Sequence, residues 1–399
     1  MSRAPASVLV LAASLAGCGG GAQTDTGRVR GDTLTVYTSG PRHGLSAAAG
    51  EAVFAGQRRA LEQAGGRAGG RRIRLVRLAA TRPGDSLWDP GTVRANADRA
   101  RKDPSAIAYL GELDYGGSAV SLPVTNRADL LQVSPTDGLT SLTRPAPGRP
   151  RAGPERYYPE GVRTFVRLVP NDLVVAEGLT ASLRRRRVGR VAILHGEGVA
   201  DRELTAVLVN RLRRARAEPA LVEALPDDAN EVPDLVGKLA VSGAGGIVLL
   251  GVRGPATPAI FAGLARRLPR VPVLTGPGLA DPGSAADPEP EEVQAITPVL
   301  PAAAQSAAGR RMLASLGGKT GVPARADALY GFEAMRVVLA AIDRAGPNRR
   351  AVVREALSPR SRRSLLGTVS VGGDGDVRTR RLALLRVRRG RATFRRLVP

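Results

Sequence analysis

The residues best suited to hold a ligand follow two short apolar segments. Residues 111–118 (GELDYGGS) come directly after Ile107–Leu110, and residues 134–138 (SPTDG) follow a second apolar segment. The paired glycines before Ser118 leave backbone N–H groups bare at the start of a helix, a position that favours an anionic group. The hydroxyls of the second run can add donors, and its carboxylate can receive an ammonium. This pattern predicts a site for a small carboxylate-bearing solute.

Catalytic and cofactor chemistry lacks its usual motifs. The only histidines, His43 and His195, lie far apart, and neither has further metal ligands at a suitable spacing. No Gly-x-Ser-x-Gly elbow and no phosphate-binding Walker loop is present. Residues 243–246 (GAGG) precede a predicted strand, whereas a dinucleotide site needs glycines after one. We therefore expect no enzyme activity, no metal and no cofactor.

The N-terminus carries an export pattern. Arg3 precedes a short apolar run from Val8 to Leu15, and Ala16-Gly17-Cys18 follows. The run is shorter than the roughly 20 residues that span a bilayer. Cys18, the only cysteine, stands where the lipobox of bacterial lipoproteins has its lipidated residue. We expect residues 1–18 to be a lipoprotein signal that anchors the chain to the outer face of the cell membrane. The alternative is an ordinary cleaved signal with an incidental cysteine.

The chain is strongly basic. It has a formal net charge of +23, with 59 Lys and Arg against 36 Asp and Glu. One interpretation is a nucleic-acid or anionic-membrane partner, and the other is arginine spread over solvated surfaces. The basic residues are scattered, and the densest run, Arg184–Arg187, ends a predicted helix, where cations suit the helix dipole. We favour the solvated surface and expect no nucleic-acid partner.

The elements that position these residues alternate between strand and helix. After a flexible tether over residues 19–32, this alternation predicts parallel sheets covered by helices. A loop rich in Pro, Gly and Arg over residues 143–160 separates two such units. Predicted strands are 34–37, 73–78, 107–110, 130–133, 191–194, 220–222, 247–250, 271–274 and 366–371. Predicted helices are 46–64, 92–101, 117–124, 172–186, 202–216, 231–241, 256–268, 326–344 and 351–357. Strands at 380–388 and 392–397 are expected to form a hairpin.

The order of these pieces resembles the type I periplasmic binding proteins of the branched-chain amino acid, leucine-binding class. Each motif is short, and their order along residues 33–390 carries the resemblance. The matching segments are Thr38–Gly44, the paired glycines at 65–66 and 69–70, Asp89-Pro90, Gly111 with 116–118, Val133-Ser134-Pro135, Phe165–Arg167 with Asn171-Asp172, Ala328–Ala334, and Gly367 with 373–375.

This resemblance implies two Rossmann-like lobes joined by three crossovers. One lobe would hold residues 33–168 with 299–363, and the other 169–298 with 364–399. Read linearly, the composition would divide the chain once, near residue 150. The implied function is the solute-binding component of an ABC uptake system, which meets a membrane permease. We expect a monomer and a small polar solute, an amino acid or related carboxylate.

In the resembled family, the loops after the third and fourth strands hold the carboxylate and the amine of the amino acid. A tyrosine of the long C-terminal helix often joins them. The positions that match are Tyr115, Gly116, Gly117, Ser134, Thr136, Asp137 and Tyr330. Ser134 and Asp137 have an alternative role as turn caps, and Tyr330 is equally expected as a core residue.

The second unit departs from the family pattern. An aromatic residue is expected after the 191–194 strand, where this chain has His195-Gly196-Glu197. The acidic residue expected after the 271–274 strand is missing from 276–278, and Glu197 or Asp201 is the candidate replacement. Two rival functions therefore stay open. They are a ligand-sensing lipoprotein that signals through a partner, and a degenerate interaction module without a small ligand.

Overall fold

The computed structural model describes residues 27–149, 153–251, 254–279, 289–320 and 324–398. The predicted signal and Cys18 lie outside these residues, as does most of the predicted tether. Within the described ranges, no helix combines the length and the apolar character needed to cross a membrane.

The first half of the chain forms a six-stranded sheet in the order β2-β3-β1-β4-β5-β6. All its neighbouring strands are parallel except β2 and β3. Helices between the strands cover the sheet, so the predicted alternation is confirmed in this half. The elements are β1 (Thr33–Gly40), α1 (Ala47–Gln63), β2 (Arg67–Ala68), β3 (Arg71–Ala79), α2 (Pro90–Lys102), β4 (Ala106–Leu110), α3 (Ser118–Asn126), β5 (Leu131–Ser134) and β6 (Phe165–Arg167).

The middle of the chain repeats this alternation of strands and helices. Its strands are apolar and buried at the centre, as β9 shows with five buried residues. The elements are α4 (Asp172–Arg185), β7 (Arg190–His195), α5 (Val199–Arg214), β8 (Glu218–Ala224), α6 (Val232–Val241), β9 (Gly246–Leu250), α7 (Thr257–Arg267), β10 (Val273–Thr275) and β11 (Val293–Thr297). Strand β11 was not predicted from the sequence.

The remaining elements divide between the two sheets. The helices return to the first sheet, and the last two strands, the predicted hairpin, join the second. These elements are α8 (Ala307–Thr320), α9 (Asp327–Ala345), α10 (Arg349–Leu357), β12 (Ser361–Ser364), β13 (Gly367–Ser370), β14 (Leu382–Arg388) and β15 (Arg391–Val398). Helix α8 and strand β12 were not predicted.

The second sheet has the order β15-β14-β11-β10-β9-β7-β8 and is parallel from β11 to β8. The chain passes between the sheets after β6, after β11 and before β14, which gives the expected two-lobed α/β architecture. The residue boundaries of the lobes stay a prediction. Val369, Val371 and Val377 pack in the core beneath the first sheet, so packing places the last pass after residue 377.

Short polar residues begin three of these helices. Asp89 accepts a hydrogen bond from the backbone N–H of Thr92 at 2.7 Å, and Pro90 fills the first helical position of α2. Asn171 caps α4 and Asn348 caps α10 in the same way. These caps satisfy donors that each helix start leaves open.

Helices α1 and α9 touch through glycines. A Cβ on Gly331 would lie 2.1 Å from the carbonyl oxygen of Val53, and one on Gly56 would lie 1.9 Å from that of Ala328. Because each neighbour is backbone, a side chain at either position would force the helices apart. This close crossing anchors the long C-terminal helix on the first lobe.

We predict that Gly331→Ala lowers the free energy of unfolding by about 1–3 kcal/mol, because the added methyl group separates the two backbones. The control is Gly237→Ala on the exposed face of α6, where nothing lies within 4 Å of the new Cβ. Alanine favours a helix over glycine by about 0.5–1 kcal/mol, so the control should gain stability. Urea unfolding measures the change in the free energy of unfolding for each variant. If both variants lost stability, or both gained it, that result would contradict the packing argument.

Candidate functional site

A cavity of about 370 Å³ lies between the two sheets. Its wall comes from loops at the carboxyl ends of strands in both lobes, where ligands bind in parallel α/β sheets. The first lobe contributes the starts of α1 and α9 and the loops after β3, β4 and β5, and the second contributes β14, β15 and the loops after β10 and β11. Representative wall residues are Ser46, Trp88, Leu113, Asp114, Tyr115, Thr136, Gly278, Pro298, Arg325, Asp327 and Phe394.

Aromatic and aliphatic side chains make up much of this wall. The chain's single tryptophan, Trp88, lines the cavity together with Tyr115 and Phe394. The polar part of the wall includes Asp114 and the ion pair between Arg325 and Asp327, whose Nε–Oδ2 distance is 3.0 Å. An apolar pocket with a few polar groups is the usual form of a small-molecule site.

Two of the predicted ligand residues, Tyr115 and Thr136, belong to this wall. The hydroxyl of Thr136 donates to the carbonyl oxygen of Leu113 at 2.6 Å, which fixes the loop after β4 against the loop after β5. The hydroxyl of Tyr115 is buried without a hydrogen-bond partner among the described residues.

The helix start at Gly116 and Gly117 differs from the prediction. The carboxylate of Asp137 accepts from the N–H of Gly116 at 3.1 Å and from the N–H of Ser118 at 2.9 Å. The N–H of Gly117 donates to the carbonyl oxygen of Asp114 at 3.1 Å. The expectation of bare N–H groups is therefore wrong, because the protein supplies its own anion to the start of α3.

Ser134 is fully buried and also satisfied internally. Its hydroxyl donates to the carbonyl oxygen of Glu112 at 2.7 Å and accepts from the N–H of Asp137 at 2.9 Å. Ser134 and Asp137 thus occupy the positions of turn caps in this structure, and neither belongs to the cavity wall. A direct contact of either with a solute stays a prediction without geometric support.

The two acids expected from the second lobe also lie away from the cavity wall. Glu197 is exposed and pairs with Arg202 at 2.9 Å. Asp201 is 7% exposed in the first turn of α5, and burial raises the pKa of its carboxyl to about 6. Of the two acidic residues after β7, Glu197 is therefore exposed to solvent and Asp201 is buried, and neither lines the cavity.

Tyr330 is a core residue. It is 3% exposed, and its hydroxyl accepts from the N–H of Leu300 at 2.9 Å and donates to the carbonyl oxygen of Pro298 at 3.1 Å. These bonds fix the second pass between the lobes onto α9. Pro298 lines the cavity, so Tyr330 acts on the cavity wall through the backbone.

A family model described as "Periplasmic binding protein" matches residues 35–392. The chain belongs to the periplasmic binding protein family. No curated protein sequence matches it. Members of this family bind solutes without transforming them, so this periplasmic binding protein is not an enzyme, as expected.

Solved structures show the same fold at low sequence identity. A leucine-binding protein from Thermotoga maritima superposes with a TM-score of 0.74 at 19% identity, covering 92% of this chain and 98% of that one. A Rhodopseudomonas palustris solute-binding protein in complex with benzoate gives a TM-score of 0.73 at 14% identity and covers 92% and 96%. A branched-chain amino acid binding protein from Streptococcus pneumoniae with isoleucine gives 0.73 at 14%, covering 92% and 99%. The predicted type I resemblance is confirmed.

One buried acid of this binding protein was not predicted as part of the site. Asp172, at the start of α4, is 0% exposed, and neither of its carboxylate oxygens has a hydrogen-bond partner among the described residues. It lies beside Gly138 and the ring of Tyr115, which brings it to the interface between the lobes. Burial raises the pKa of Asp172 well above its usual range; the neighbouring hydroxyl of Tyr115 lowers this pKa in part, and the negative charge of Glu203 raises it further.

We predict that Asp172 makes the protein less stable as the pH rises. The pKa of Asp172 is higher in the folded state than in the unfolded state, where it is about 3.9. The protonated side chain therefore makes its full contribution to the free energy of unfolding below about pH 3.9, and this contribution is lost as the pH rises toward the folded-state pKa. The loss approaches about 1.4 kcal/mol per pH unit within that window. Asp172→Asn should flatten this part of the stability profile between pH 5 and 8, measured by urea unfolding. Asp234→Asn, at an exposed position on α6, should leave the slope unchanged, and an equal effect of both variants would contradict this account.

Proposed function

We propose that the chain is the solute-binding component of an ABC uptake system and that it holds a small solute in the cavity between its lobes. Family membership implies a location outside the cytoplasm. The observation that carries the proposal is the cavity itself, because loops from the carboxyl ends of both sheets close around it. An interaction module without a small ligand would not need this aromatic-lined space between the lobes.

Contacts between the lobes support a closing motion. Gly116 of the first lobe packs against Ala200 at the start of α5. A Cβ atom added to Gly116 would lie only 3.1 Å from the Cβ atom of Ala200. The N–H of Ser141 donates to the carboxylate of Glu203 at 2.8 Å. These contacts seal the edge of the interface beside the cavity, so a solute enters by hinge opening and is retained by closure.

The closed form is the state that we expect a membrane permease to recognise. A ligand-sensing lipoprotein would use the same closed form, and the partner it meets separates the two functions. We favour transport, with a monomeric binding protein delivering the solute to its permease. The anchor in this proposal is lipidated Cys18, joined to the first lobe by residues 19–32.

We predict that filling the cavity abolishes solute binding. Thr136→Trp places a large ring in the cavity, whereas Glu197→Ala changes only an exposed residue away from it. A thermal-shift screen of amines, amino acids, organic acids, aromatic acids, sugars and polyamines identifies the ligand. A ligand at 100 times its dissociation constant should add about 2.7 kcal/mol, a shift of several degrees in Tm.

The shift should vanish in Thr136→Trp and persist in Glu197→Ala. Unliganded Glu197→Ala should melt close to the wild type, and unliganded Thr136→Trp should melt somewhat lower but still cooperatively, because it loses the hydrogen bond to Leu113. If no compound stabilises the wild type, or if Thr136→Trp binds as tightly as the wild type, the proposed function is wrong.

We also predict that Cys18→Ala moves the protein from the membrane fraction to the soluble fraction. A single acyl chain anchors only marginally, so the mature residue should carry more than one. Fractionation with immunoblotting measures the shift, and Cys18→Ser serves as a second variant that conserves size. Retention of both variants on membranes would show that the cysteine is incidental.

A further inference from the structure

We propose that the cavity selects its solute through a protonated amine set against aromatic faces, and not through a carboxylate. This inference rests on the proposed solute-binding function and names the substrate class of the same site. Three features carry it: an anion position next to the cavity wall that is already filled, and, on the wall itself, a neutralised cation and an unsatisfied carboxylate.

The anion position at the start of α3 is occupied by the protein. The carboxylate of Asp137 accepts hydrogen bonds from the N–H groups of Gly116, Ser118 and Leu139 at 3.1, 2.9 and 3.2 Å. Asp137 is 0% exposed, so this arrangement is part of the packed interior. A solute carboxylate would have to displace a buried carboxylate to use these donors.

The positive charge on the cavity wall is compensated. Arg325 is the cationic residue among the described wall residues, and its Nε lies 3.0 Å from Oδ2 of Asp327, which also lines the wall. A solute carboxylate would compete with Asp327 for this guanidinium. The pair therefore gives the cavity little net attraction for an anion.

Asp114 supplies the complementary group for a cation. It lines the cavity, and its Oδ2 is buried without a hydrogen-bond partner in the described part of the chain. Burial raises the pKa of Asp114 to about 7, although a hydrogen bond with Ser46 lowers it. A solute ammonium would satisfy the open oxygen with a charge-assisted hydrogen bond and would offset the cost of the buried charge.

Aromatic faces complete the site. Trp88, Tyr115 and Phe394 line the same cavity, and aromatic faces attract cations within about 6 Å of the ring centroid. The aliphatic wall, which includes Leu45 and Leu113, suits a hydrocarbon body. A primary amine with a short branched or aromatic body therefore fits both parts of the wall.

Matched solutes test the inference by isothermal titration calorimetry. One set is isopentylamine, 4-methylpentanoate and leucine, and the other is phenethylamine, 3-phenylpropionate and phenylalanine. We expect at least one amine to bind at least tenfold more tightly than its matched carboxylate. Asp114→Asn should weaken amine binding at least tenfold, and Asp85→Asn, which is outside the cavity wall, should leave it unchanged.

A second variant guards against a folding defect. Trp88→Leu removes an aromatic face at a half-buried position and should weaken the amine several-fold with little effect on the carboxylate. Amine affinity should also rise between pH 6 and pH 8 as Asp114 ionises, and Asp114→Asn should flatten that rise. The charged groups that face Asp114 or share its cavity are Asp137 in the loop after β5 and the Arg325–Asp327 pair at the start of α9.

A carboxylate that binds as tightly as its matched amine or more tightly, or an amino acid that binds when its matched amine does not, would overturn this inference and leave the proposed function standing. Amine binding that survives Asp114→Asn would also overturn it. If no solute of any class binds, the proposed function and this inference both fail.

Discussion

A buried ion pair between Arg167 and Asp376 connects the two segments from which the chain first and last leaves the first lobe. Arg167 is 0% exposed, and its Nε lies 3.0 Å from Oδ1 of Asp376. Its remaining donors reach the carbonyl oxygens of Asp137 and Leu139 at 3.1 and 2.9 Å and the hydroxyl of Thr143 at 2.8 Å. A buried charge needs such partners, because nothing else replaces the water that it loses on folding.

Asp376 also binds the loop after β5 and the cap of α4. It accepts hydrogen bonds from Thr143 at 2.8 Å, from Arg144 at 2.8 Å and from Asn171 at 2.7 Å. Burial alone would raise the pKa of Asp376, but the charge of Arg167 and these hydrogen bonds hold it below its usual value. The loop after β5, the cap of α4 and the segment before β14 therefore meet at one carboxylate, which links the hinge to the loops that line the cavity.

The sequence predicts the elements with strong local signals and misses those without them. Strand β9 is an unbroken apolar run, and α2 begins with Asp89-Pro90, so both were predicted. Strand β11 contains the polar Gln294 between apolar neighbours, so its five residues give a weaker apolar signal than the five of β9. It forms because β10 and β14 pair with it on either side, and this information is absent from its own five residues.

In the candidate site, too, the sequence predicts the features with local signals and misses those that depend on distant parts of the chain. The strand ends at Gly111 and Ser134 were correctly expected to meet, and Tyr115 and Thr136 do line the cavity. Local pattern cannot show that the N–H of Gly116 is already bonded to a carboxylate 21 positions further on. Nor can it bring together Trp88 and Phe394, which lie on different lobes and meet only after three passes of the chain.

The chain as a whole is basic, but the buried groups near its cavity are mainly acidic. The arginines that give +23 are mostly exposed or paired at the surface, whereas several acids are buried or half-buried in the loops after β4 and β5 and at the start of α4, among them Glu112, Asp114, Asp137 and Asp172. At physiological ionic strength, charges further apart than about 8 Å are largely screened in solvent, while buried groups are not. The basic surface therefore has little influence on which solute is retained. That choice falls to the few buried contacts of the cavity, and their composition differs from that of the chain as a whole.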